Sequence, residues 1–214
     1  MKKILFASLT ALTLSVSLPG LTAKAGNNDP YADYDETVYM DMELEENLKA
    51  PDVGEREHAA VKNYMGRLGR DLVQKNYIVD LMRNDEVVLV TIPTDDLFLP
   101  NDTLLTPAAP GKLRPIISLL NDPMMFKVVY AVHTDNTGSP TYNMNLSHER
   151  NTSIYEWLLD QVSEDLIIIP YEFGDTEPLV ANDSRKGRKE NRRLEIFLIP
   201  GPKLITLAQK GTLK

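Results

Sequence analysis

Between residues 55 and 74, Val61, Met65, Leu68 and Leu72 fall on one face at helical spacing. This predicts an amphipathic helix lying against a main domain, with Gly66 and Gly69 as weak points inside it. Beyond it the period changes. Tyr77, Val79 and Leu81 alternate, residues 83–86 form a turn, and residues 87–92 are a continuous apolar run of the kind that fills a sheet interior. Leu113, Ile116, Ile117 and Leu120 share a helical face, although Pro110 and Pro115 predict that this helix is kinked or starts late, near Lys112. A strand follows over residues 127–132. Ile154, Trp157, Leu158, Gln161 and Val162 mark a further helix, residues 166–170 another buried strand, and Leu194, Ile196 and Leu198 alternate in the last one. An opening antiparallel hairpin followed by strands joined through helices implies an α+β sandwich. Its sheet is mixed parallel and antiparallel, helices pack on it, and a helical extension precedes it.

The ends of the chain read differently. Lys2-Lys3, an apolar run over residues 4–18, Pro19-Gly20 and Ala23-Lys24-Ala25 stand in the order of a secretory signal peptide. Cleavage after Ala25 is expected, with an uncleaved anchor as the alternative. Residues 26–53 are polar and acidic, with Tyr31, Tyr34 and Tyr39 interleaved, and read as a linker or mobile arm. The expected division is therefore a leader (1–25), an acidic arm and helix (26–76), the main domain (77–200) and a C-terminal tail (201–214).

Composition narrows the chemistry. The 214 residues include no Cys, which removes disulfides, thiol nucleophiles, Cys-ligated zinc and a lipidated N-terminal cysteine. Net charge is −8, and losing a leader with three Lys and no acids takes it to −11. A nucleic-acid partner is not expected on such a surface. The basic run from Arg185 to Arg193 then reads as a solvated loop. An exported, Cys-free chain points to the periplasm, in association with the outer membrane or free of it. The first 80 residues lack the repeated alternating segments of a membrane β-barrel.

Candidate chemistry lies at two loops. The first runs His133-Thr134-Asp135-Asn136-Thr137-Gly138 off a strand and continues through Asn143 to Ser147-His148-Glu149-Arg150. Ser147 reads as an N-cap, which places Arg150 in the first turn of the Trp157 helix. A cation there opposes the helix dipole, so an anion should offset it. One reading is an ion pair with Glu149, Asp135 or Glu172. The other is a carboxylate site built from Arg150 and the free N–H groups of the helix start, with Asp135 taking an ammonium of the same ligand. An Asp and an Arg at one rim suit a zwitterion. The second loop runs from Phe173 to Pro178 and on through Asn182-Asp183 to Glu195.

His133-Thr134-Asp135-x-x-Gly138, Asn143-x-x-Leu146-Ser147-x-x-Arg150, Gly174-x-x-x-Pro178, Asn182-Asp183 and Gly187-Arg188-x-x-Asn191-Arg192-Arg193-x-Glu195 together resemble the OmpA C-terminal domain family, which includes Pal lipoproteins and MotB-type stators. Leu97-Phe98 and Leu105-x-Pro107 fit its lead-in, and the likeness covers residues 77–200. The resemblance implies a non-catalytic domain that binds peptidoglycan through the diaminopimelate of the stem peptide, with no metal or cofactor. Carried over, Asp135 receives the diaminopimelate ammonium and Arg150 clamps its carboxylate. Thr137 and Asn143 line the same pocket, and Arg192 stands at its edge. Arg188 and Asn191 close the last loop.

Two positions depart from the family pattern. Val132 replaces a small residue and is expected to narrow the pocket floor, and Asn151 replaces an Ala. Two other classes stay open. One is a stator-like or envelope-complex subunit whose residues 26–76 engage a protein partner, as a monomer or a homodimer. The other is a cell-wall hydrolase using His133, Asp135, His148 and Ser147, against which the lack of a nucleophile elbow or metal-ligand spacing weighs.

Overall fold

The computed structural model describes residues 34–214; the expected leader and residues 26–33 of the arm lie outside the described residues. Two short helices, α1 (Thr37–Met40) and α2 (Leu44–Asn47), precede the long α3 (Glu55–Gln74). The hairpin β1 (Ile78–Met82) and β2 (Val87–Pro93) turns through Arg83, Asn84 and Asp85, all with φ between 52° and 67°. A 3-10 turn (Thr94–Asp96) leads to α4 (Ala109–Ile117), β3 (Phe126–His133), α5 (Pro140–Leu159) and β4 (Ile168–Gly174). Then come α6 (Arg185–Asn191), β5 (Arg193–Pro200) and α7 (Pro202–Gln209). The five strands form one sheet in the order β1-β2-β5-β3-β4, antiparallel except for β3 and β4, which α5 joins as a parallel crossover.

One face of this sheet carries the main core. Val90, Ile92, Val128, Tyr130, Leu194 and Leu198 meet Met65 and Leu72 of α3, Leu113 and Ile116 of α4, and Ile154 of α5, all buried. Gly69 lets α3 come close to the sheet, since a Cβ there would stand 3.3 Å from Leu81 Cδ2. The residues read from sequence as a tail belong to this core too, because α7 inserts Leu204 and Ala208 into it. Helix α4 begins at Ala109 and not near Lys112. Pro110 sits in its first turn, where a missing N–H costs nothing, while Pro115 lies inside the helix.

The opposite face explains why β5 does not alternate cleanly. Val87, Val129, Ile167, Ile169, Phe197 and Ile199 form a second buried cluster, and Leu48 from the arm closes it. The acidic stretch, which reads as a mobile linker, is thus docked over its described part. Burying Leu48 alone contributes about 1.5–3 kcal/mol. Hydrogen bonds fix the arm's position. Tyr171 Oη donates to Met42 O at 2.6 Å, and Asn47 Nδ2 donates to Tyr39 O and Tyr171 Oη. Lys127, only 5% exposed, donates to Asn47 Oδ1 and lies 4.1 Å from the Tyr39 ring centroid. Burial pushes the Lys127 ammonium down to about 8.

Candidate functional site

At the C-terminal end of β3 the chain leaves the sheet and turns at Asp135. Asp135 Oδ1 accepts from the Thr137 N–H at 2.9 Å and from the Thr137 hydroxyl, an Asx-type turn that fixes the carboxylate. Gly138 is required close by, since a Cβ there would lie 2.4 Å from Asn143 Oδ1. Ser139 caps α5 by accepting from the Tyr142 N–H, and Pro140 occupies the first turn. Helix α5 therefore starts well before Ser147, and the expectation that Ser147 caps it is corrected. Arg150 lies mid-helix, so the dipole of a helix start does not explain it.

What surrounds Arg150 is more informative. The residue is 4% exposed, and its guanidinium donates from Nε to Asp102 O at 2.9 Å and from Nη2 to Leu99 O at 3.4 Å. It stacks over Phe98 at 4.9 Å from the ring centroid. No carboxylate of the described residues lies within 4.0 Å of it, so the expected pairing with Glu149, Asp135 or Glu172 is absent. Burial lowers the guanidinium's affinity for its proton. The cation is thus desolvated against neutral carbonyls, an arrangement that is costly to keep without a counter-ion.

Arg192 presents the opposite case. It forks onto Asp95, with Nε to Oδ1 at 2.9 Å and Nη2 to Oδ2 at 2.8 Å, and sends Nη1 to Asp135 Oδ2 at 2.6 Å. Burial raises the Asp135 carboxyl, but the bonds from Thr137 and Arg192 outweigh this and hold it below its ordinary value. Asp135 has about four acceptor positions and fills three of them, leaving one on the side of Arg192.

All five residues carried over from sequence, Asp135, Thr137, Asn143, Arg150 and Arg192, line one open pocket of about 410 Å³. Sequence reasoning missed several of its walls: Asp95, Phe98, Leu99, Pro100, Asn101 and Tyr142 also line it. Asp95 follows a strand in an acidic pair 97 residues from Arg192, and nothing local in the sequence links the two. The pocket's ionised side chains balance, with Asp95 and Asp135 against Arg150 and Arg192.

The remaining motif residues support the pocket from behind. Ser147 is fully buried; its hydroxyl donates to Met144 O and accepts from the Gly174 N–H. None of these partners is a His or a carboxylate. Gly174, at φ +52°, lets the end of β4 meet α5, since a Cβ there would stand 3.0 Å from Met144 N. His133 Nε2 lies 3.2 Å from Glu195 Oε2 and its ring stacks on Phe173, whereas His148 Nδ1 faces Glu172 at 3.2 Å. The set imagined for a hydrolase is thereby divided among separate carboxylates. Among the described residues no group of three His, Cys, Asp or Glu could hold a metal.

The departures from the family pattern also lie away from the pocket. Val132 is buried in the main core and does not narrow the floor. Asn151 bonds Tyr130 Oη at 2.6 Å and Glu172 Oε2 at 2.7 Å behind α5. Asn191 joins Val180 and Asn182, and Arg188 donates to Asn182 O, so both close the last loop. The basic run is not the expected solvated loop: Arg185–Asn191 form α6, Arg192 lines the pocket and Arg193 opens β5.

Comparison with known proteins agrees with this architecture. The chain is 28% identical over 122 residues to the probable lipoprotein YiaD of Escherichia coli K12, covering 57% of this chain and 56% of that one. It is 31% identical over 72 residues to outer membrane protein A of Bordetella avium, covering 34% and 37%. The chain thus spans about half the length, or less, of the curated relatives it matches. Among solved structures, a MotB-like protein from Desulfovibrio vulgaris superposes with a TM-score of 0.58 at 19% identity, over 67% of this chain and 95% of that one. The cell wall anchor of the type VI secretion system of Pseudomonas aeruginosa gives 0.52 at 24%, over 65% and 96%. At those identities the likeness is one of fold. Among the described residues no helix is long and apolar enough to cross a membrane. Residues 97–192, which hold every charged group of the pocket except Asp95, match the OmpA family.

Proposed function

We propose that the pocket binds peptidoglycan non-covalently by grasping the zwitterionic end of the diaminopimelate in its stem peptide. In this reading the protein is a non-catalytic anchor or organiser of the cell envelope, and it works in the periplasm. The observation that carries the reading is Arg150, a buried guanidinium that lines the pocket and has carbonyls but no carboxylate as partners. Two of its five N–H donors are used, and the others are free to receive a carboxylate as a fork. The ligand's ammonium is held by the remaining acceptor position of Asp135. Thr137 fixes that carboxylate, and Asn143 lines the wall beside it.

A ligand with one charge of each sign leaves the site neutral, whereas an anion or a cation alone leaves one pole unpaired. The family match supports a role in envelope anchoring, and one solved relative of this fold is described as a cell wall anchor. Ser147 argues against hydrolysis, because its hydroxyl bonds no His or carboxylate. The reading is tested by sedimentation of the purified chain with insoluble peptidoglycan. The wild type pellets with the sacculi, and Asp135→Ala stays in the supernatant while keeping its thermal unfolding transition. Equal pelleting of wild type and Asp135→Ala would reject the assignment.

A further inference from the structure

The diaminopimelate reading, on which this inference rests, leaves Asp95 without a part in binding, although this half-exposed carboxylate is held by Arg192 at the pocket edge. Its location is set by the fold. Pro93 pairs with Arg193, and the Thr94 N–H donates to Arg192 O at 3.0 Å, so the 3-10 turn is registered beside the end of α6. The charges then pair off. Asp95 takes two N–H groups of Arg192 in a fork, while Asp135 takes one. Arg192 thus gives most of its hydrogen bonds to Asp95, which leaves Asp135 with one N–H of a shared guanidinium, while Arg150 has no carboxylate within 4.0 Å among the described residues.

We infer that Asp95 is a positioning residue, which holds the Arg192 guanidinium away from full engagement with Asp135 and so keeps one carboxylate position open for the ligand's ammonium. Without Asp95 the guanidinium loses its fork, turns onto Asp135, fills the last acceptor position and cancels its charge. Asp95 therefore acts through Arg192 and not by touching ligand.

Calorimetric titration of the full chain with meso-diaminopimelate tests this in a double-mutant cycle of Asp95→Asn and Arg192→Gln. Asp95→Asn keeps the side-chain shape and is the variant of choice for retaining the 3-10 turn. In the wild-type background it weakens binding about tenfold, the order expected for one charge-assisted hydrogen bond. In the Arg192→Gln background, where no guanidinium can move onto Asp135, the same change alters affinity by less than about threefold, whatever Arg192→Gln itself costs. Loss of equal size in both backgrounds would mean that Asp95 contacts ligand directly or is merely structural, and would overturn the inference. So would an unchanged affinity in Asp95→Asn alone. A wild type that takes up no meso-diaminopimelate fails the reading of the site itself. A wild type that binds, with no coupling between the two positions, fails only this inference.

Discussion

Replacing Arg150 by Met separates what the residue does for the fold from what it does for the ligand. Met keeps most of the aliphatic length that packs beside Phe98 and removes the charge. On the binding side, a desolvated charge pair with a carboxylate loses one partner, which costs about 2–5 kcal/mol, or roughly thirtyfold to several thousandfold in Kd. On the folding side the terms oppose each other. The hydrogen bonds to Asp102 O and Leu99 O and the stacking on Phe98 are lost, at about 1.5–3 kcal/mol per bond to a charged donor and about 0.5–2 kcal/mol for the ring. Against them stands relief of several kcal/mol spent on desolvating a cation that has no counter-ion. These nearly cancel, so Tm should move by no more than about 4–8 °C, the equivalent of roughly 2 kcal/mol for a chain of this size. Sedimentation with sacculi and a thermal melt on the same preparation measure both. Sacculus binding within a factor of about two of wild type would refute the argument. So would a loss that merely tracks the unfolded fraction.

Three further outcomes follow from the geometry. Because the Asp135 carboxyl is held below its ordinary value of 3.8, its depressed pKa keeps it ionised, and peptidoglycan binding should be level from neutral pH down through the usual carboxylate range and fall only below it; half-loss near pH 6 in a sedimentation series would contradict this. Lys127→Met should raise the unfolding free energy at neutral pH by up to about 3 kcal/mol, and Tm with it, since the buried ammonium is pushed down to about 8. The unfolded chain binds the extra proton between that value and 10.5, so wild-type stability gains from this group as pH rises through the window. The variant should lack that gain, and a lower Tm or an unchanged slope in melts across that window would count against it. Gly174→Ala should cost about 1–3 kcal/mol in denaturant unfolding, being strained at φ +52° and pressed on the α5 backbone. Gly111→Ala in α4 meets no atom within 4 Å and should be neutral or stabilising by about 0.5–1 kcal/mol. Equal effects of the two would refute the close-approach argument.

Much of this fold is legible in the sequence because each element carries its own period. The α3 face of Val61, Met65, Leu68 and Leu72 is the face that packs, and the turn at residues 83–86 adopts the left-handed conformations that its Asn and Asp tolerate. The arm and α7 are illegible for a common reason. Their contacts are made across the whole chain, as in Leu48 against Phe197 or Leu204 in the main core, and a short acidic stretch gives no local sign that a sheet face is waiting for it. At the site, Asp135 and Arg150 are recognisable as types and by motif. The start of α5 is misread because Ser147 resembles a cap, although Ser139-Pro140 is the stronger signal, with a side-chain acceptor followed by a residue that needs no partner. Asp95 is invisible until Arg192 is brought beside it by the β2–β5 register.

The central claim is that the pocket recognises both charges of one zwitterion, and displacement of sacculus-bound protein by small molecules tests it most directly. Meso-diaminopimelate should release the wild type into the supernatant in a saturable way. Pimelate, which keeps the carboxylates and lacks the ammonium groups, and cadaverine, which keeps the ammonium groups and lacks the carboxylates, should each fail at the same concentration. Release by pimelate or cadaverine as effective as by meso-diaminopimelate, or retention on the sacculi in its excess, would contradict the account.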